Sequence, residues 1–291
     1  MSDVSAAVSQ TTAQHMRVGY LGHVNASCGL ALLTILRRPR LILATVIVMM
    51  PVMVPLLLAF LSKSAYAEQG NEVFVRLVER LQINSLAPLL GLFFASMLIG
   101  EDVEQQTLPY VLTRPIPRSA WVLGRYVAYL FISVAILSTS IFLTFAACTA
   151  LAGIAFRQPD LLLLAQYLGV GVVALAAYGA VMMLLGAATK RPIVYGVLLL
   201  YGWQRLALIV PGLVDFLTIE KYTNAMLPAL ATQVGMQVAV QSILGEYNKQ
   251  VFAVSALTAG ATLAGVTLFC LAASVYVVRH REYAAWRAAG G

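Results

Sequence analysis

The sequence predicts an all-α membrane protein of about six transmembrane helices, from its scarcity of charge, its span-length apolar runs and the placing of its cations. Of 291 residues, 60% are hydrophobic and 11% charged, and the mean hydropathy is +0.85. A water-soluble domain of this size needs far more charge to cover its surface, so hydrocarbon is the solvent that fits. The net charge of +7 marks cytoplasmic loops in such a chain. It does not point to nucleic acid, since no basic stretch is interleaved with aromatics. Cys28, Cys148 and Cys270 are far apart, which implies neither a disulfide framework nor a metal site.

The elements follow in chain order. Residues 1–20 are small and polar. Over residues 22–38, Val24, Cys28, Ala31, Leu32 and Ile35 share one helical face, and Arg37-Arg38-Pro39-Arg40 closes the segment. This predicts an amphipathic helix in the inner membrane interface, its basic end among anionic headgroups.

A helix needs about 20 apolar residues to cross a hydrocarbon core of roughly 30 Å. Such runs are Leu41–Leu61, Leu81–Gly100, Tyr126–Ala147, Leu161–Ala188, Ile193–Pro211 and Val251–Val278. The second is diluted at its start by Gln82, Asn84, Ser85 and Pro88. The first is read as an uncleaved anchor despite Ala65-Tyr66-Ala67 after it, because its apolar core is too long for a signal peptide. The domain plan is therefore a tail with an interfacial helix (1–40), a six-span domain (41–278) and a C-terminal tail (279–291). Between the last two spans, Ala225–Leu244 suits a short helix or a re-entrant pair, although Gln233, Gln237 and Gln241 interrupt it.

With both termini inside, twelve Lys and Arg fall in the inner segments and six in the outer ones, with Arg205 inside the fifth span. That asymmetry places both termini in the cytoplasm. Arg205 is a candidate substrate-path residue, since intramembrane charge is costly; snorkelling outward or pairing with Asp215 is the competing role. Ala256, Gly260 and Ala264 recur at four-residue spacing, which permits close helix packing. Tyr178, Tyr195 and Tyr201 are either pathway residues or packed and interfacial tyrosines. There is no H-E-x-x-H, no pair of intramembrane carboxylates and no Ser/His/Asp arrangement. The expectation is a chain that is not an enzyme, with no catalytic residue, no metal and no directly bound cofactor.

The inner loop from Glu101 to Arg118 is the most informative segment. Glu101, Asp102 and Glu104 suit a helix N-terminus. Leu108, Val111 and Leu112 form a short apolar patch, and Arg114-Pro115 stops the helix, because the residue before proline is pushed out of the α region. Pro117 and Arg118 stiffen the return, and Trp121 is expected to anchor the next span at the interface. A rigid knob with an acidic start, an apolar side and a basic end suits transmission of force from a soluble partner; a solvated, capped turn is the plainer alternative.

Glu101, Asp102, Thr107, Leu108, Leu112, Thr113, Arg114, Pro115, Arg118 and Gly124 match a known pattern. This stretch resembles the first cytoplasmic loop of permeases of the type-2 exporter class of ABC transporters. Gln106 stands where glycine is common there, and Arg125 where lysine is common. The resemblance implies a coupling helix with Glu101, Asp102, Glu104, Thr107, Leu108, Leu112, Arg114, Pro115 and Arg118 as ATPase-coupling residues. It also implies separate cytoplasmic ABC ATPase subunits, a second permease copy or paralogue, and a bacterial inner-membrane location. No G-x-x-x-x-G-K-[ST] occurs, so ATP would act through the partner. The alternative is an ATP-independent secondary transporter or a membrane assembly scaffold.

Overall fold

The computed structural model of the protein describes residues 19–37, 39–61, 70–96, 98–100, 117–151, 154–189, 191–203, 216–227, 239–242, 245–248 and 254–280. Five of the described helices are long and apolar enough to cross a membrane. They are α2 (Pro39–Leu61), α3 (Gly70–Gly100), α4 (Arg118–Cys148), α5 (Gln158–Ala188) and α8 (Ala256–His280). Preceding them is α1 (Tyr20–Leu36); between α5 and α8 lie α6 (Pro192–Trp203) and α7 (Ile219–Met226). The chain is an all-α membrane protein, and its described strands form one short antiparallel hairpin.

That hairpin, β1 (Ala239–Ser242) paired with β2 (Gly245–Asn248), corrects the expectation for Ala225–Leu244. The described helix there ends at Met226, and residues 239–242 are extended. Residues 228–238 lie outside the described residues. The fifth expected span, Ile193–Pro211, is described only as far as Trp203. That much helix rises about 18 Å, short of a hydrocarbon core of roughly 30 Å. The rest of it, Arg205 included, lies outside the described residues.

The second span begins earlier than expected, at Gly70, and is the most enclosed: 71% of its most apolar stretch is buried, against 22% in α2 and in α8. Two π-helical segments, Val78–Leu86 and Gly91–Ala95, interrupt it. Pro88 supplies a reason for the first, because it has no N–H to donate and its ring crowds the turn before it. The Ala87 N–H accordingly reaches back five residues to the Gln82 carbonyl, and the extra residue is absorbed as a π-turn. The polar residues that dilute this span in sequence therefore belong to a buried helix, not to a loop.

Around α3 the core is aromatic at one end and glycine-rich at the other. Phe74 meets Phe145 edge-on at 5.3 Å and Tyr167 at 5.7 Å between ring centres, the preferred T-shaped arrangement. Gly70 sits where a Cβ would lie 2.7 Å from the Cys148 carbonyl oxygen, so that end of α3 abuts that end of α4. At the other end, a Cβ on Gly186 would lie 2.6 Å from the Ser96 carbonyl oxygen, so α5 and α3 cross backbone to backbone. Side chains on α2 such as Ile42, Met50 and Leu57, and on α8 such as Leu257, Leu268 and Phe269, stay exposed, as lipid-facing residues do.

One packing expectation needs correction, and the small-residue stripe of α8 can be placed. The apolar face of α1 is not laid against open membrane: Ser27, Ala31 and Ile35 are buried against α4, with Val24, Cys28 and Leu32 half-buried beside them. Leu21, Leu30, Leu33 and Leu36 are the side left exposed. In α8, of the stripe Ala256, Gly260 and Ala264 only Gly260 faces a neighbour in the chain, a Cβ there lying 3.6 Å from Met226 Cε. Ala256 and Ala264 are exposed, and the buried row is Ala259, Leu263, Cys270, Ser274 and Val278.

Candidate functional site

Glu101, Asp102, Glu104, Thr107, Leu108, Leu112, Arg114 and Pro115 lie outside the described residues. The structure describes the frame that holds their two ends. The upstream root is Leu98–Gly100, at the end of α3; the downstream root is Pro117–Arg118, at the start of α4.

Each root is fastened to several elements. Arg125, about two turns into α4, donates from Nη1 to the Leu98 carbonyl. Its guanidinium carbon lies 4.2 Å from the centre of the Trp121 ring, a cation–π contact. Planar charge and five donors let arginine serve the carbonyl and the ring together, which lysine's point charge would not. Gly100 abuts the start of α6, where a Cβ would come within 2.8 Å of the Pro192 ring. The upstream root is thus pinned by α4 on one side and by the α5–α6 turn on the other.

Arg118 carries the downstream root. Its Nη1 donates to the carbonyl of Arg279 at 2.6 Å and to that of Val278 at 3.3 Å. These carbonyls belong to the last described turn of α8. A shallow pocket lined by Pro117, Arg118, Ser119, Val275 and Arg279 lies at this contact. Arg118 is the one expected coupling residue that the described structure contains, and its guanidinium is engaged within the chain.

The start of α4 is covered by α1. Ser27 Oγ donates to the Trp121 carbonyl at 3.1 Å, and Tyr20 Oη donates to Ser119 Oγ at 3.2 Å. Gly124 is the point of closest approach: a Cβ there would lie 2.6 Å from both Ser27 Cβ and the Val24 carbonyl oxygen. This gives the glycine before Arg125 a steric reason. It also corrects the expectation for Trp121, which is 4% exposed. With α1 above it and Arg125 across its face, the indole is a packing core for the frame and not an anchor at the water–lipid boundary. Burial in the same seam raises the Cys28 thiol pKa above its ordinary value.

Charge segregates along the bundle. Arg37, Arg40, Arg118, Arg125, Arg191 and Arg279 lie at the end that carries the frame. The described acids Glu72, Glu79, Asp160 and Glu220 lie towards the other end, where Arg76, Arg80, Arg157 and Lys221 balance them. Among the described residues no group of His, Cys, Asp and Glu is placed to hold a metal ion.

Some functional-looking residues resolve as packing. Tyr178 is fully buried beside Gly91; Tyr195 is exposed; Tyr201 donates to the Ser85 carbonyl at 3.4 Å. A buried network joins three spans: Gln82 Nε2 donates to Ser140 Oγ at 2.9 Å and to Thr144 Oγ1 at 2.8 Å, and Ser140 donates to the Val48 carbonyl at 2.6 Å. Sequence reading missed this network, although Gln82 was visible in it as a polar intrusion in an apolar run.

Residues 35–202, more than half of the chain, match the family model described as ABC-2 family transporter protein. No curated protein matches the chain.

Proposed function

We propose, on the premise that the chain belongs to the ABC-2 family of transporter proteins, that it works as an exporter coupled through residues 101–118 to separate cytoplasmic ATPase subunits. Membership of this family makes it a multi-pass membrane protein and the permease component of an ABC transporter. The observation that carries the finer reading is the pair of fastened roots. A segment is placed between Leu98, tied to Arg125, and Arg118, tied to α8, so a push on it reaches α3, α4 and α8 together. The acidic start, apolar patch and basic end of that segment give a soluble partner something to grip. Energy would come from ATP on that partner, since the chain has no phosphate-cradling glycine loop of its own. The arginine-rich end of the bundle, where the roots lie, faces the cytoplasm on the positive-inside rule. Both termini then lie inside, the inner membrane of a bacterium is the location, and a second permease completes the pathway.

The test is purification in mild detergent followed by mass spectrometry, comparing wild type with the Glu101→Arg/Arg114→Glu double variant. An ABC ATPase that copurifies with wild type and is lost from the variant supports the proposal. Absence of any ATPase, under conditions that keep other ABC transporters intact, overturns it.

A further inference from the structure

We propose that Arg118 is a positioning residue that latches the last span to the start of α4, so that α4 and α8 move as one body at their inner ends. The reading of residues 101–118 as a coupling segment is assumed only for the nucleotide-dependent half of the test. Sequence reasoning placed Arg118 on the surface that meets the ATPase. The structure describes that guanidinium, on an exposed residue, hydrogen-bonded across to the Val278 and Arg279 carbonyls of α8.

Three features make the contact a latch. Arg118 is the first residue of α4, so movement at the start of that helix acts on it directly. Its partners are two successive backbone carbonyls in the last described turn of α8, and a charged donor makes stronger bonds to them than a neutral one. And α8 packs mainly along α5 and α7, with less contact to α4. Without Arg118, nothing comparable among the described polar contacts ties the inner end of α8 to α4. A guanidinium bridging two successive carbonyls fixes both distance and orientation, which a single-point ammonium contact would not.

The test is double electron–electron resonance in lipid nanodiscs, with nitroxides on the exposed positions Val127→Cys and Ala272→Cys, in a background in which Cys28, Cys148 and Cys270 are alanine. Arg118→Gln and Arg118→Lys are compared with the unaltered arginine. Without nucleotide, a latched pair gives one narrow distance; Arg118→Gln is expected to at least double the width of the distribution, and Arg118→Lys to restore part of the narrowing. With the copurified ATPase and ATP, the distance stays fixed when Arg118 is present and becomes nucleotide-dependent in Arg118→Gln, while the amount of ATPase recovered is unchanged. A distribution equally narrow in Arg118→Gln overturns the latch. So does loss of the ATPase from that variant, which would make Arg118 a docking residue. If no ATPase copurifies even with the arginine present, the proposed function fails, and the nucleotide-free widths still decide the latch.

Discussion

Gly124→Ala adds one methyl group to the seam between α1 and α4, and its effect follows from the geometry. The new carbon would sit 2.6 Å from Ser27 Cβ and from the Val24 carbonyl oxygen. Carbon atoms pack at about 3.5–4.0 Å, so the overlap is about 1 Å. The Val24 oxygen is backbone, so no side-chain rotation relieves the contact and α1 must move away. A shift of about 1 Å breaks the Ser27–Trp121 hydrogen bond, 3.1 Å long in the packed seam, because such bonds fail beyond about 3.5 Å. Overpacking costs about 1–3 kcal/mol, and a lost hydrogen bond about 1 kcal/mol more. That is enough to detach α1 locally, since the other four long helices do not depend on it. The assay is the rate of maleimide attack on Cys28 across a pH series. In the packed protein, burial raises this thiol's pKa and slows the reaction. On release the pKa falls, each unit of fall raising the thiolate fraction about tenfold at pH below both values. The rate–pH curve of Gly124→Ala therefore moves to lower pH, with a faster rate at every pH below the plateau. An unchanged curve, with an unchanged melting temperature, would refute the seam as described.

Two further predictions concern the bundle itself. Gly186→Val puts a branched side chain where even a Cβ lies 2.6 Å from the Ser96 carbonyl; it should cost at least the roughly 1–3 kcal/mol of overpacking and lower the unfolding temperature in detergent. The Gln82→Ala/Ser140→Ala double-mutant cycle should give a coupling energy of about 0.6–1.7 kcal/mol, the range for hydrogen bonds between membrane helices. Additive single effects in denaturant unfolding would argue that the Gln82–Ser140 bond holds nothing.

How far the sequence could be read depended on the range of the physics involved. Long apolar runs report their own burial, so α2, α4, α5 and α8 were legible, although α4 starts about two turns before the expected Tyr126. The start of α3 at Gly70 was not, because the apolar run begins only at Leu81 and Gln82, Asn84 and Pro88 dilute it there. Their tolerance in a buried helix depends on a π-turn and on partners from α4, neither of which one strand of sequence displays. Residues Ala31 and Ile35 announced an apolar face on α1, but not whether protein or lipid would cover it. Gly124 decides that, since only glycine lets α4 come close enough. Arg118 shows the same limit at the candidate site. Its position beside the coupling segment was readable, whereas its partners lie 160 and 161 residues away in the chain and required the fold.

The central claim is that residues 101–118 receive a cytoplasmic ATPase, and the most direct measurement is a photo-crosslink in living cells. A benzophenone amino acid placed at Leu108 is irradiated, and the adduct is digested and sequenced by mass spectrometry. The account predicts an adduct with an ABC ATPase, diminished when Glu101→Arg/Arg114→Glu is introduced alongside. An adduct with lipid only, or with a protein that binds no ATP, would contradict it.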